Sequence, residues 1–153
     1  MKKNILILCC GHPYVGDTGF GCHVEQVLKQ MKLPENVDLM EVGFSACMIP
    51  SVIEGMDKMI VVDTFYTQDP PGAIVCLKPE EVPLTVKGKT DTAKLHLIET
   101  LEQIKLIGKC PETLFIGVVP VSTEMGDEKL SPEIQSKMPV VIEMIMKEIS
   151  SLQ

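Results

Sequence analysis

The sequence predicts an α/β protein, a three-layer sandwich whose mostly parallel, five-stranded sheet carries helices on both faces. Three observations lead there. Short, nearly continuous apolar runs such as Asn4 to Cys9 and Lys58 to Asp63 suit strands buried on both faces. Between them lie stretches whose apolar residues recur at helical spacing. The two kinds of segment alternate, as they do when helices connect parallel strands.

Asn4 to Cys9 is the first strand, and a glycine-rich loop from Gly11 to Gly21 follows it. Val24, Val27, Leu28 and Met31 then mark the apolar face of a helix that stops before Pro34. Val37 to Val42 is the second strand. Met48 to Met56 reads as a short helix, which tolerates Pro50 only in its first turn. Lys58 to Asp63 is the third strand. Asp69-Pro70-Pro71-Gly72 is a turn, and Ala73 to Leu77 a short edge strand, read as antiparallel. A polar loop leads to a helix over Thr92 to Leu106, with Leu97, Ile98, Leu101 and Ile104 as its apolar stripe. Thr113 to Val119 is the last strand. Ser131-Pro132-Glu133 opens the final helix, with Ser131 as N-cap and proline at the first helical position. Pro139 is expected to kink or divide that helix.

The 153 residues fit a single domain, 1–153, able to bury roughly two-thirds of its unfolded surface. Charged residues make up 23% and leave no disordered block. The net charge is −7 and no arginine is present, so nucleic acid and anionic membranes repel the chain and no bidentate phosphate clamp is available. The apolar run near the N-terminus is closed by Gly11, His12 and Pro13, too soon for a signal peptide. No segment approaches the roughly 20 apolar residues of a membrane span. A cytoplasmic protein is expected, with no nucleic-acid partner. Six cysteines occur without a CxxC pair, at spacings wrong for a structural zinc site. Cys9, Cys76 and Cys110 are read as free, buried thiols beside apolar strands.

Ligands of such folds gather at the carboxyl ends of the strands, so the loops after Cys9, Val42 and Asp63 are the place to look. The first loop holds four glycines, Gly11, Gly16, Gly19 and Gly21. It matches neither GxGxxG nor a P-loop, although Glu41 could imitate a ribose-binding acid; nucleotide or small-molecule binding stays an alternative. Asp63 ends an apolar strand and needs a partner there, which marks it as a functional candidate. Asp17 reads two ways: a carboxylate at the site mouth, or a turn or cap residue bonding its own loop. His12 can face the same cleft as Asp63, His23 is read as exposed, and His96 as solvated or half-buried on its helix. Ser45 in GFSAC lacks the final glycine of a nucleophile elbow. Cys10 and Cys47 could each pair with His12 as thiolate and base.

Taken together, the segments resemble the hydrogenase maturation proteases, including the delta-subunit-like members tied to coenzyme F420-reducing hydrogenases. The likeness runs through the first strand and its loop (Gly11, Asp17, Gly19, Gly21), VVD ending at Asp63, and Pro70 to Ile74. It continues through Gly117 to Pro120 and the final helix. The resemblance implies binding at Gly11, Thr18, Gly19 and Gly21. It implies a metal site made by an acidic residue of the first loop, the aspartate ending strand three, and a histidine downstream. The metal would be nickel borne by an immature hydrogenase large subunit, whose C-terminal tail is then cut; otherwise no cofactor is implied. Only Asp63 matches these ligands. The acidic position falls on Thr18 and the histidine position on Ala93, leaving Asp17, His12 and His96 as substitutes. The expected function is that of an endopeptidase homologue for nickel-dependent C-terminal processing of a hydrogenase large subunit or related metalloprotein, with an altered metal site. A non-proteolytic, chaperone-like binding module is the alternative.

Overall fold

The computed structural model describes residues 2–43 and 49–153. Strand β1, Ile5–Cys10, is buried from Ile5 to Cys9 without alternation. The reason is that both of its faces are covered. Ile5, Ile7 and Cys9 pack into one apolar core, while Leu6 and Leu8 pack into another on the opposite side. Each such side chain contributes about 1.5–3 kcal/mol on leaving water.

The remaining strands are β2 (Val37–Gly43), β3 (Lys58–Thr64), β4 (Ile74–Leu77), β5 (Thr85–Val86), β6 (Lys89–Thr90) and β7 (Glu112–Val118). The helices are α1 (Phe20–Lys29), α2 (Ile49–Val52), α3 (Thr92–Ile107) and α4 (Pro132–Ser151). The main sheet runs β2-β1-β3-β7-β4, parallel except at β4, which lies antiparallel on the edge beside β7. Phe20, Val24 and Leu28 of α1 share a core with Ile134, Met138, Val141 and Ile145 of α4. Leu97 and Leu101 of α3 fill the core on the other face, with Ile53 beyond α2. The sandwich has helices on both faces, as expected.

Three expectations need correction. Helix α4 runs undivided through Pro139, because the apolar stripe from Ile134 to Ile149 holds both halves on the sheet. The polar loop before α3 contains the β5-β6 hairpin, turned at Lys87 (φ 52°) and Gly88 (φ 77°). Two successive positive φ values are what a tight hairpin turn requires. Cys76 is exposed on edge strand β4, whereas Cys9 is buried.

From β1 the chain passes to β2 on one side and then to β3 on the other, so the winding direction reverses between β1 and β3. A crevice opens outside the strand ends at such a point. Here it is a cleft of about 170 Å³, lined by Cys10, Gly11 and His12 after β1, Asp63 and Thr64 of β3, and Lys94 of α3, among others.

Candidate functional site

The glycine-rich loop is shaped by close backbone approach. Gly11 adopts φ +139°, and a Cβ there would stand 2.1 Å from the carbonyl oxygen of Thr18. The loop closes on itself at that point: His12 N–H donates to the Thr18 carbonyl at 3.1 Å. The Thr18 hydroxyl donates to the His12 carbonyl at 3.1 Å and to that of Val15 at 2.8 Å. A Cβ on Gly21 would meet the Cys10 carbonyl oxygen at 2.1 Å, so glycine lets α1 settle on the ends of β1 and β3. Of the four positions expected to bind a ligand, Gly11 and Thr18 line the cleft and Gly19 and Gly21 do not.

Asp17 is fully buried and does not line the cleft. One oxygen accepts the N–H groups of Val121 (2.9 Å) and Ser122 (2.8 Å), together with the Ser131 hydroxyl (2.8 Å). The other accepts the N–H of Ser131 at 2.7 Å. Its expected service as a substitute metal ligand is thereby corrected: four donors saturate the carboxylate. Nor does it bond its own loop, as the turn reading had it. It ties the first loop to the connection between β7 and α4. Ser131, expected to cap α4, turns its hydroxyl to Asp17 and makes no side-chain cap.

Asp63 stands near the end of β3, at the cleft. One of its oxygens accepts the N–H of Thr64 at 2.7 Å. The other lies 3.3 Å from the Nζ of Lys94. That ammonium is also 2.8 Å from Asp91, and it sits 4.7 Å above the ring of Phe65. Asp91 is the N-cap of α3 and accepts the backbone N–H of Lys94 at 3.2 Å. Lys94 is 5% exposed. Burial alone would pull its pKa down, but the Asp63 and Asp91 carboxylates outweigh burial and hold the ammonium above the ordinary lysine range. Burial pushes the Asp63 carboxyl up from the usual carboxylate range, opposed by Lys94 and by the Thr64 N–H.

Lys94 and Asp91 were absent from the predicted site. A signal was there to be read. Lys94, Leu97 and Leu101 fall three and four residues apart, so a lysine occupies the buried stripe of α3, preceded by an aspartate at the N-cap.

The other candidates divide. His12 lines the cleft, and its Nδ1 accepts the N–H of Tyr14 at 3.2 Å. His96 is exposed and does not line the cleft, a correction to its place among the substitute ligands; Ala93 on the same helix does line it. His23 is half-buried, with Nε2 3.2 Å from the Glu128 carbonyl, not fully exposed as expected. The Cys10 thiol lines the cleft, and burial first, then Asp63, push it well above the usual range, which opposes a thiolate nucleophile. Cys22 is pushed up to about 12 by burial and by its hydrogen bond to Glu41. Ser45 and Cys47 lie outside the described residues.

This donor set does not fit nickel. The two carboxylates at the cleft are held by an ammonium, Thr18 directs its hydroxyl to backbone carbonyls, and Ala93 has no donor atom. Among the described residues no group of three histidine, cysteine or acidic side chains is placed to hold a metal ion.

Comparison with known proteins defines the class. The model of the hydrogenase maturation protease family matches residues 22–148. A protein of Methanocaldococcus jannaschii that bears the hydrogenase maturation protease name is 35% identical over 97% of both chains. The hydrogenase 2 maturation protease of Escherichia coli is 26% identical, over 94% of this chain and 88% of its own. In fold, the hydrogenase maturating endopeptidase HybD from E. coli superposes with a TM-score of 0.87, at 24% identity over 97% of this chain and 93% of that one. The maturation protease HybD from Thermococcus kodakarensis gives 0.76 at 22% identity, over 95% and 99%. The chain belongs to the hydrogenase maturation protease family, and it is a homologue of the endopeptidases that process hydrogenases.

Proposed function

We propose that this protein acts in the cytoplasm on the large subunit of a nickel-iron hydrogenase or a close relative, at the stage when the C-terminal tail is removed. The observation that supports this most is the cleft at the β1/β3 reversal, which gathers Gly11, His12 and Asp63 in a chain aligned end to end with a maturation protease relative. Exposed Tyr66 lines it, exposed Tyr14 meets the ring of His12 edge-on, and the Gly126 N–H donates to the Tyr14 carbonyl at 2.7 Å. Such a rim suits a protein partner. The negative charge disfavours nucleic acid, and among the described residues no helix is long and apolar enough to cross a membrane.

A second reading, engagement without cleavage, is favoured by the Asp63–Lys94 pair and by the burial of the Cys10 thiol, which works against a thiolate. Incubating the purified protein with an unprocessed large subunit and reading its intact mass tests both. Loss of a C-terminal peptide supports the endopeptidase; a stable complex of unchanged mass supports the binding module. Neither cleavage nor complex, with subunits carrying their full tails, overturns the function.

A further inference from the structure

We propose that Lys94 is a built-in cation standing where this cleft would otherwise accept a metal ion, so that the protein engages its partner without reading the partner's nickel. The proposal rests on the family function above and concerns what the cleft recognises.

The placement of the ammonium is the first ground. It lies 3.3 Å from Asp63 and 2.8 Å from Asp91, while a third contact, with the Phe65 ring at 4.7 Å, is of the cation–π kind. A group bridging two carboxylates on different elements occupies the position a bound cation would take. Its position is fixed by local structure: Asp91 caps α3 and bonds both the backbone N–H and the Nζ of Lys94. The ammonium is therefore delivered by the first turn of a 16-residue helix.

The second ground is the rest of the shell. A divalent ion at Asp63 would lie beside a buried positive charge that repels it, in surroundings of low dielectric. Among the described residues at the cleft the other strong donors are the Cys10 thiol and the His12 imidazole, whose Nδ1 already accepts the N–H of Tyr14. The hydroxyl of Thr18 donates to carbonyls of its own loop, Ala93 offers nothing, and Asp17 is saturated by Val121, Ser122 and Ser131. A shortage of metal donors and a fixed positive charge meet in one cleft. Together they describe an internal salt bridge where an ion would otherwise sit.

The test is calorimetric titration of the isolated protein with nickel chloride. Wild type is expected to show no nickel binding that depends on Asp63. Lys94→Ala frees the two carboxylates that the ammonium bridges, Asp63 and Asp91, and nickel binding at least roughly tenfold tighter than wild type is expected to appear. It should disappear again in Lys94→Ala/Asp63→Asn. Should Lys94→Ala fail to fold, Lys94→Gln, which keeps much of the stem, is read the same way. Nickel binding by wild type that Asp63→Asn abolishes overturns the proposal. So does a folded lysine variant that gains none. A parallel binding assay uses the partner subunit purified with and without nickel, and equal affinities are expected. Preference for the nickel-loaded form overturns this inference alone; failure to bind either form overturns the function and leaves the metal titration to stand.

Discussion

Two aspartates of this protein, Asp17 of the first loop and Asp63 beside it, are both largely withdrawn from water, yet they serve opposite ends. Asp17 is closed into the frame. It takes four hydrogen bonds, three of them from backbone N–H groups, and forms no ion pair among the described residues. Asp63 takes one backbone N–H and borders a cleft, where its charge is answered by Lys94. A carboxylate fed by fixed dipoles has nothing left to offer a ligand. One answered by a side-chain ammonium has its charge taken up by that partner, and substituting the partner would expose it.

The comparison breaks or holds on stability first. Asp17→Ala leaves several buried donors without an acceptor and removes the tie between the loop and α4. A loss of at least about 3 kcal/mol is expected by urea denaturation, since each buried donor left unpaired costs roughly 1–3 kcal/mol. Asp63→Asn keeps the volume and leaves Lys94 paired with Asp91, and burial already works against the Asp63 charge, so a smaller change, within about 1.5 kcal/mol, is expected. The reverse order would show that the frame runs through Asp63.

A smaller effect sharpens the comparison through pH. The pKa of Lys94 is raised in the folded protein, so its contribution to stability is complete below the unfolded lysine value, roughly 10.4. It is lost as pH rises through the folded value. The advantage of wild type over Lys94→Met in urea midpoint is therefore expected to stay level from pH 8 to about 10 and to shrink above that. The raised Asp63 value has the same sign in the acid range: its stabilisation is greatest below the unfolded aspartate value and is lost as pH rises through the folded one. An advantage that persists unchanged beyond pH 11 would mean that Lys94 acts by packing alone.

The frame was largely legible in the sequence, because it depends on local pattern. The apolar runs of β1 and β3 admit one reading once both faces are covered, and the stripe of α3 matches its predicted residues. The edge position and direction of β4 followed from a proline-rich turn before a short apolar run. The site was legible only in outline. Asp63 was found because a carboxylate after an apolar strand is conspicuous. The true partners of Asp17 stand 104 to 114 residues away in the chain, and no spacing rule reaches that far. Lys94 escaped because lysine on a helix is ordinarily solvent-facing. The hairpin turn at Lys87-Gly88 escaped because the flanking strands are two residues each and polar.

The most direct measurement of the central claim is a crystal structure of the protein soaked in a nickel or cadmium salt. The expected result is a Lys94 ammonium between Asp63 and Asp91, at distances near 3.3 and 2.8 Å, with no ion bound to Asp63. An ion coordinated by Asp63, with the Lys94 side chain swung out of the cleft, would contradict it.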